Sequence, residues 1–223
     1  MNQDDLTGRE WERARPPILV PHPAADVDQL RGRRVIVHDP EHGIWRHDLR
    51  AVCAPHGASA TVSVVNEGDW YRELRGEEIA LPWLVDLDRV WVEEPVDRLD
   101  AESVPDQSDI PVAAGRSRRL IEDTSRPPVR YPRPAVRAAA MVGARACVMT
   151  PEGPVWDQRI VGDPRRHEFP PTVLNFSRGV ESLGEPVVGA VVPVVPEDDY
   201  YLWEQTGQSP EPVLHAARFV WIE

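Results

Sequence analysis

Short aliphatic runs broken by proline, glycine and charge set the pattern of this chain. Ile18-Leu19-Val20, Val35-Ile36-Val37, residues 44–52, residues 61–65 and Val90-Trp91-Val92 have the length of strands, and turn signals such as Asp39-Pro40-Glu41-His42-Gly43 separate them. Alternation places Val62 and Val64 on one face and Thr61 and Ser63 on the other. Pro21 and Pro23 remove backbone donors, so the first run should be an edge strand or a strap. Residues 24–31 depart from this pattern. Ala24, Val27 and Leu30 are spaced for about two turns of helix, with Gly32 as its C-terminal cap, and residues 135–142 before Gly143 give the same reading.

The pattern occurs twice. Residues 15–45 align without a gap on 126–156 and agree at 12 of 31 positions, among them Gly32/Gly143, Arg34/Arg145, Val37/Val148 and Trp45/Trp156. Residues 64–93 align on 194–223 and agree at 10 of 30, including Glu67/Glu197, Asp69/Asp199, Tyr71/Tyr201 and Trp91/Trp221. A repeat of this length reads as an internal tandem duplication. Trp45 and Trp156, one residue into each returning strand, read as anchors closing one end of each core. The resulting expectation is a mainly β (α+β) chain built from two small bent-sheet or SH3-like barrel units, each with one short helix.

Four segments follow from this reading: a polar tail over 1–14, a first unit over 15–94, a charged linker over 95–125, and a second unit over 126–223. The second unit carries an insertion at about 162–180, which reads as a long loop folded across its own unit or onto the other. Residues 72–80 and 202–211 diverge between the units and read as surface connections.

Composition narrows the possible functions. The chain has 223 residues, 41% of them hydrophobic, with eight Trp, which excludes wholesale disorder. It contains no run of 18 apolar residues and no signal-peptide centre near its start, so no membrane partner is expected. Two cysteines at non-equivalent places make no disulfide framework, and a cytoplasmic location is expected. The net charge of −12 opposes a broad nucleic-acid footprint. A local basic edge over 116–137, joined by Arg31, Arg33 and Arg34, keeps nucleic acid as an alternative partner, ranked below protein.

Candidate chemistry falls in three places. His38, His42, His47, Asp48, Cys53 and His56 are the residue types of a metal-dependent hydrolase, but their spacing fits no standard zinc framework, and strand alternation points His47 and Asp48 to opposite faces. Glu67 and Asp69, with Trp70 and Tyr71, recur as Glu197 and Asp199 with Tyr200 and Tyr201. They serve as turn residues, as carboxylates that select a basic partner, or as ligands of a hard cation. In Val90-Trp91-Val92 and Val220-Trp221-Ile222, alternation gives the strand two apolar faces, so Trp91 and Trp221 should meet the other unit, an identical chain or a partner. No dinucleotide fingerprint, phosphate loop, nucleophile elbow or zinc-helix motif occurs, and no cofactor, metal or catalytic residue is assigned. The sequence therefore points to a non-enzymatic interaction or adaptor protein. It would present Glu67, Asp69, Trp70, Tyr71, Trp91, Glu197, Asp199, Tyr200, Tyr201 and Trp221 to a protein with a basic or mixed surface.

Overall fold

A computed structural model describes residues 14–53, 60–78, 81–97, 126–137, 141–169, 173–175, 181–183 and 187–223. Two compact units emerge, one within Pro17–Tyr131 and the other within Pro132–Glu223 together with residues 14–16. The protein is mainly β, with two curled antiparallel sheets, one of them a half-barrel, and two α-helices.

In the first unit the strands are β1 (Ile18–Pro23), β2 (Arg34–Asp39), β3 (Ile44–Ala51), β4 (Thr61–Asn66), β5 (Trp83–Asp86) and β6 (Val90–Val96), with α1 (Glu67–Leu74) between β4 and β5. The sheet order is β1-β6-β2-β3-β4-β5. The second unit holds β7 (Arg133–Pro134), β8 (Arg145–Thr150), β9 (Gly153–Ile160), β10 (Arg165–Phe169), β11 (Val173–Asn175), β12 (Glu181–Leu183) and β13 (Val187–Pro196). Then come α2 (Glu197–Thr206), β14 (Val213–Ala216) and β15 (Val220–Ile222). The path β7-β15-β8-β9-β13 repeats that of the first sheet, and β14 pairs with β13 as β5 pairs with β4. This likeness is consistent with the duplication read from the sequence.

The cores match position by position. Ala24, Leu30, Val35, Val37, Ala51, Val62, Val64, Val90 and Val92 fill the first, and Ala135, Met141, Ala146, Val148, Ile160, Val192, Val194, Val220 and Ile222 fill the second. Val35 and Ala51 give way to Ala146 and Ile160, an exchange of large for small that conserves the filled volume. The strand residues among them share one face because alternation puts them there, and Ala24, Leu30, Ala135 and Met141 join them from the turns before β2 and β8.

Several expectations change. Residues 24–31 form only a 3₁₀ turn, Ala24–Asp26, after which Val27 is already extended, and the equivalent described turn is Ala135–Arg137. Gly32 caps no helix. It sits in a left-handed turn (φ +78°) and donates its N–H to Ala51 O at 2.8 Å. The α-helices lie instead at Glu67–Leu74 and Glu197–Thr206, where the sequence reading continued a strand into a surface connection. First-turn acids Glu67 and Asp69, and Glu197, Asp198 and Asp199, favour a helix start through the macrodipole.

Trp45 and Trp156 are not equivalent. The hairpin of the second unit is two residues shorter, since Asp39 pairs with Ile44 but Thr150 pairs with Gly153. Pro154, opposite Met149, therefore occupies the place of Trp45, which lies opposite His38. The insertion is also no plain loop. It begins with β10, which pairs along the first half of β13, and it contains β11, which pairs with β12 just beyond it.

Candidate functional site

The repeated Glu of each unit is a buried ion-pair centre. Asn66 ends β4 opposite Leu49, so the next residue, Glu67, opens α1 beside Arg50 of β3, which itself pairs with Arg34 of β2. Glu67 Oε1 lies 3.1 Å from Arg34 Nε and 3.3 Å from Arg50 Nε, and its side chain is fully buried. Arg50 donates further to Gly32 O at 2.9 Å and to the Tyr71 hydroxyl at 3.2 Å. In the second unit Pro196 pairs with Gln158, which brings Glu197 beside Arg159 and its cross-strand partner Arg145, at 3.0 and 3.4 Å. Arg159 donates to Gly143 O at 2.9 Å and to the Tyr201 hydroxyl at 2.8 Å. Two guanidiniums on one carboxylate, with phenol and carbonyl acceptors, compensate charge that burial would otherwise make costly.

The remaining residues singled out by sequence distribute around these clusters. Trp70 is buried over Gly32, and Tyr200 takes the equivalent place over Gly143. Asp69 pairs with Arg72 at 3.4 Å, and Asp199 is exposed. Trp91 is half-buried beside Ile36, whereas Trp221 is buried in a convex-face cluster with Cys147 and Met149, against which Trp156 and Phe219 pack. Thus Glu67, Trp70 and Tyr71 come together, as do Glu197, Tyr200 and Tyr201, while Trp91 and Trp221 lie on β6 and β15, opposite Ile36 and Cys147. The carboxylates Glu67 and Glu197 face arginines of their own units.

Cys147 lies deep in that convex-face cluster. Burial, with a smaller contribution from the Glu223 carboxylate, pushes its thiol up to about 12. A raised acid pKa favours the neutral form in the folded state. This contribution to stability is complete below the unfolded thiol's pKa and is lost as pH rises from there through about 12. Iodoacetamide at pH 8 should therefore label Cys53, which is partly exposed, and leave Cys147 unmodified in the native protein. Mass spectrometry of the labelled peptides checks this, and equal labelling would contradict it.

The histidines of the first unit are dispersed. His38 stacks on Trp45, with ring centroids 4.6 Å apart, while His42 contacts Asp39 at 3.1 Å. Asp48 is exposed, and His56 lies outside the described residues. Among the described residues, no three His, Cys, Asp or Glu side chains are grouped to hold a metal ion. Of the arginines proposed for nucleic acid, Arg31 pairs with Glu73, Arg33 with Glu94 and Arg34 with Glu67. Arg130 binds Glu93 through both nitrogens of its fork. Residues 116–125 lie outside the described residues.

Two features were not foreseen. The first is a cleft of about 250 Å³ in the first unit, lined by Val37, His38, Asp39, Pro40, Glu41, Arg46, Leu49, Trp83 and Arg89. Arg46 lies over the Trp83 ring at 5.8 Å and donates to Asp39 at 3.1 Å. Burial tends to raise the Asp39 pKa, but hydrogen bonds from His42 and the positive charges of His42 and Arg46 hold it below the ordinary value. Strand register maps His38, Asp39, Arg46, Trp83 and Arg89 onto Met149, Thr150, Val155, Val213 and Phe219, so the charges of Asp39, Arg46 and Arg89 have no counterpart in the second unit. The second feature is the β5 edge. Leu81 and Leu84 are 89% and 71% exposed, and β5 pairs only with β4 among the described strands. Alternation of Trp83 and Leu84 could have suggested the edge, whereas residues of the cleft come from segments that no local pattern links.

No family model matches the chain, and no curated protein or solved structure is significantly similar to it. The SH3-like reading therefore gains no structural relative. No helix among the described residues is long and apolar enough to cross a membrane.

Proposed function

We propose that the chain is an interaction or adaptor protein that captures an extended, basic polypeptide segment along the open edge of β5. The observation that carries this reading is the exposed apolar edge itself. Unpaired strand edges invite another strand, and natural proteins usually blunt them with charge, proline or a covering element. Among the described residues β5 has no second strand partner, and Leu81 and Leu84 are exposed there, with Pro82 before the strand and Asp86 at its end. The acids Glu77, Glu78, Asp86 and Asp88 lie close by in sequence, and Glu77, Glu78 and Asp86 are exposed. Hydrogen bonding from Arg75, with help from Arg72, outweighs burial and lowers the Glu77 pKa, so that group stays ionised at neutral pH.

Main-chain pairing would supply affinity, Leu84 a side-chain contact, and the acids selection for Lys or Arg on the incoming strand. This reading moves the acidic-aromatic surface from the helix starts to a sheet edge, because Glu67 and Glu197 are already matched by buried arginines. Free Cys53 and Cys147 suit a reducing, cytoplasmic setting.

Synthetic alternating Lys-Val and Glu-Val octapeptides test the proposal by titration against the full chain. The Lys-Val peptide should bind at least about tenfold more tightly, protect β5 amides from hydrogen exchange and weaken in salt. Leu84→Pro should abolish binding, since proline cannot donate to a ladder. Equal affinity for both peptides, or none for either, would refute the assignment.

A further inference from the structure

We propose that the cleft of the first unit binds a small organic monoanion, a carboxylate carried on an apolar or aromatic body, with Arg89 as its counter-charge. Arg89 is half-buried and its guanidinium is held in place by Nε and Nη2, which donate to His38 O at 3.3 and 2.7 Å. Among the described residues no carboxylate lies within ion-pair distance of it. A positioned guanidinium without a carboxylate, in a cleft, is suited to an anion because planar pairing is strong once water is displaced.

The opposite choice, a cationic ligand, fits less well. The natural anchor for a cation is Asp39, yet that carboxylate already accepts from the His42 backbone N–H, the His42 ring and Arg46. Its charge is met within the fold, whereas that of Arg89 is not.

The apolar part of the ligand has its own surface. Val37 and Leu49 belong to the core and form the floor, and the Trp83 ring stands 43% exposed at the wall. At about 250 Å³ the space suits a body of about ten non-hydrogen atoms, below the usual range for drug-sized ligands. Exposed Glu41 at the lining disfavours ligands with a second negative charge.

The comparison between units strengthens the case. Core and buried ion-pair cluster recur, but Arg89 becomes Phe219 and Trp83 becomes Val213, so neither is demanded by the shared fold. The site is also separate from the strand edge. Trp83 shares its face with buried Val85, while Leu84 points the other way.

Phenylacetate is a suitable probe, with phenylacetamide and phenethylammonium as neutral and cationic comparators, each titrated into the isotope-labelled full chain. Phenylacetate at millimolar concentration should shift the Trp83 indole resonance and bind at least about tenfold more tightly than either comparator. Arg89→Gln should remove that preference. Because Arg89 also holds the His38 carbonyl, Trp83→Val provides a second variant at an exposed position, expected to weaken phenylacetate several-fold. Leu84→Pro, which abolishes edge pairing, should leave phenylacetate binding intact, so the two proposals can fail separately. Absence of phenylacetate binding, equal binding of a comparator, or undiminished binding by Arg89→Gln would overturn the inference.

Discussion

Glu197→Ala should destabilise the second unit by about 3–5 kcal/mol, the cost typical of leaving a buried charge without its partner. The loss arises less from the bonds removed than from the groups left behind. Arg145 and Arg159 have side chains only 5% and 8% exposed, and neither can shed its proton to escape burial. Alanine also opens a space where α2 meets β9. The effect should appear as a lower urea midpoint and as loss of amide protection along β8 and β9.

The same mechanism orders a set of variants. Glu67→Ala should cost somewhat less, because Arg34 is 13% exposed and can reach water more readily than Arg145. Tyr201→Phe removes a single acceptor of a charged donor and should cost about 1.5–3 kcal/mol. Replacing Glu197, Arg145 and Arg159 together with apolar residues of similar volume should recover most of the Glu197→Ala loss, since no charge is then stranded. A Glu197→Ala effect below about 1 kcal/mol would mean that the arginines are compensated without the carboxylate, and the cluster would lose its role as the fastening of helix to sheet.

How much of this was legible depends on how far apart in sequence the cooperating residues lie. Strand cores were readable because alternation is local: Val62 and Val64, or Val90 and Val92, declare their shared face within three residues. The repeat added equivalences such as Leu30 with Met141 that no single window could supply. The helices escaped because Val64-Val65 and Val194-Val195 invite continuation of the strand into Glu67 and Glu197. Yet Glu67, Trp70, Tyr71 and Leu74 have helical spacing, and acids in the first turn reinforce it.

The buried clusters were half visible. Arg34 and Arg145 recur at the same alignment offset as Gly32 and Gly143, which marks an arginine kept at the start of an apolar strand. Arg50 and Arg159 were hidden by the shorter second hairpin, which breaks the gap-free alignment and also produced the false equivalence of Trp45 with Trp156. The cleft had no such trace. Asp39, Arg46, Trp83 and Arg89 lie in separate segments of the first unit and meet only because the curled sheet brings β2, β3, β5 and the turn before β6 to one end.

Gly32→Ala should cost about 2–3 kcal/mol, a larger penalty than left-handed backbone alone imposes. Two requirements coincide at this residue. Its φ of +78° disfavours any Cβ, and a Cβ built there would lie 3.1 Å from Trp70 Cζ2, closer than ordinary contact. Trp70 is buried and cannot swing away freely, so the turn must shift instead. That shift moves the Gly32 carbonyl, which accepts from Arg50, and so strains the ion-pair cluster as well. Gly43→Ala is the control: its φ is +64° but nothing lies within 4 Å of the new methyl, and its cost should stay near about 1 kcal/mol. Gly143→Ala should fall between the two. There the close atom is the Tyr200 hydroxyl, the far end of a side chain that can yield by loosening its 2.7 Å bond to Glu204. Urea unfolding of the three variants measures the order. Equal losses at Gly32 and Gly43 would show that backbone conformation alone sets the cost and that the aromatic lid over the turn bears no strain.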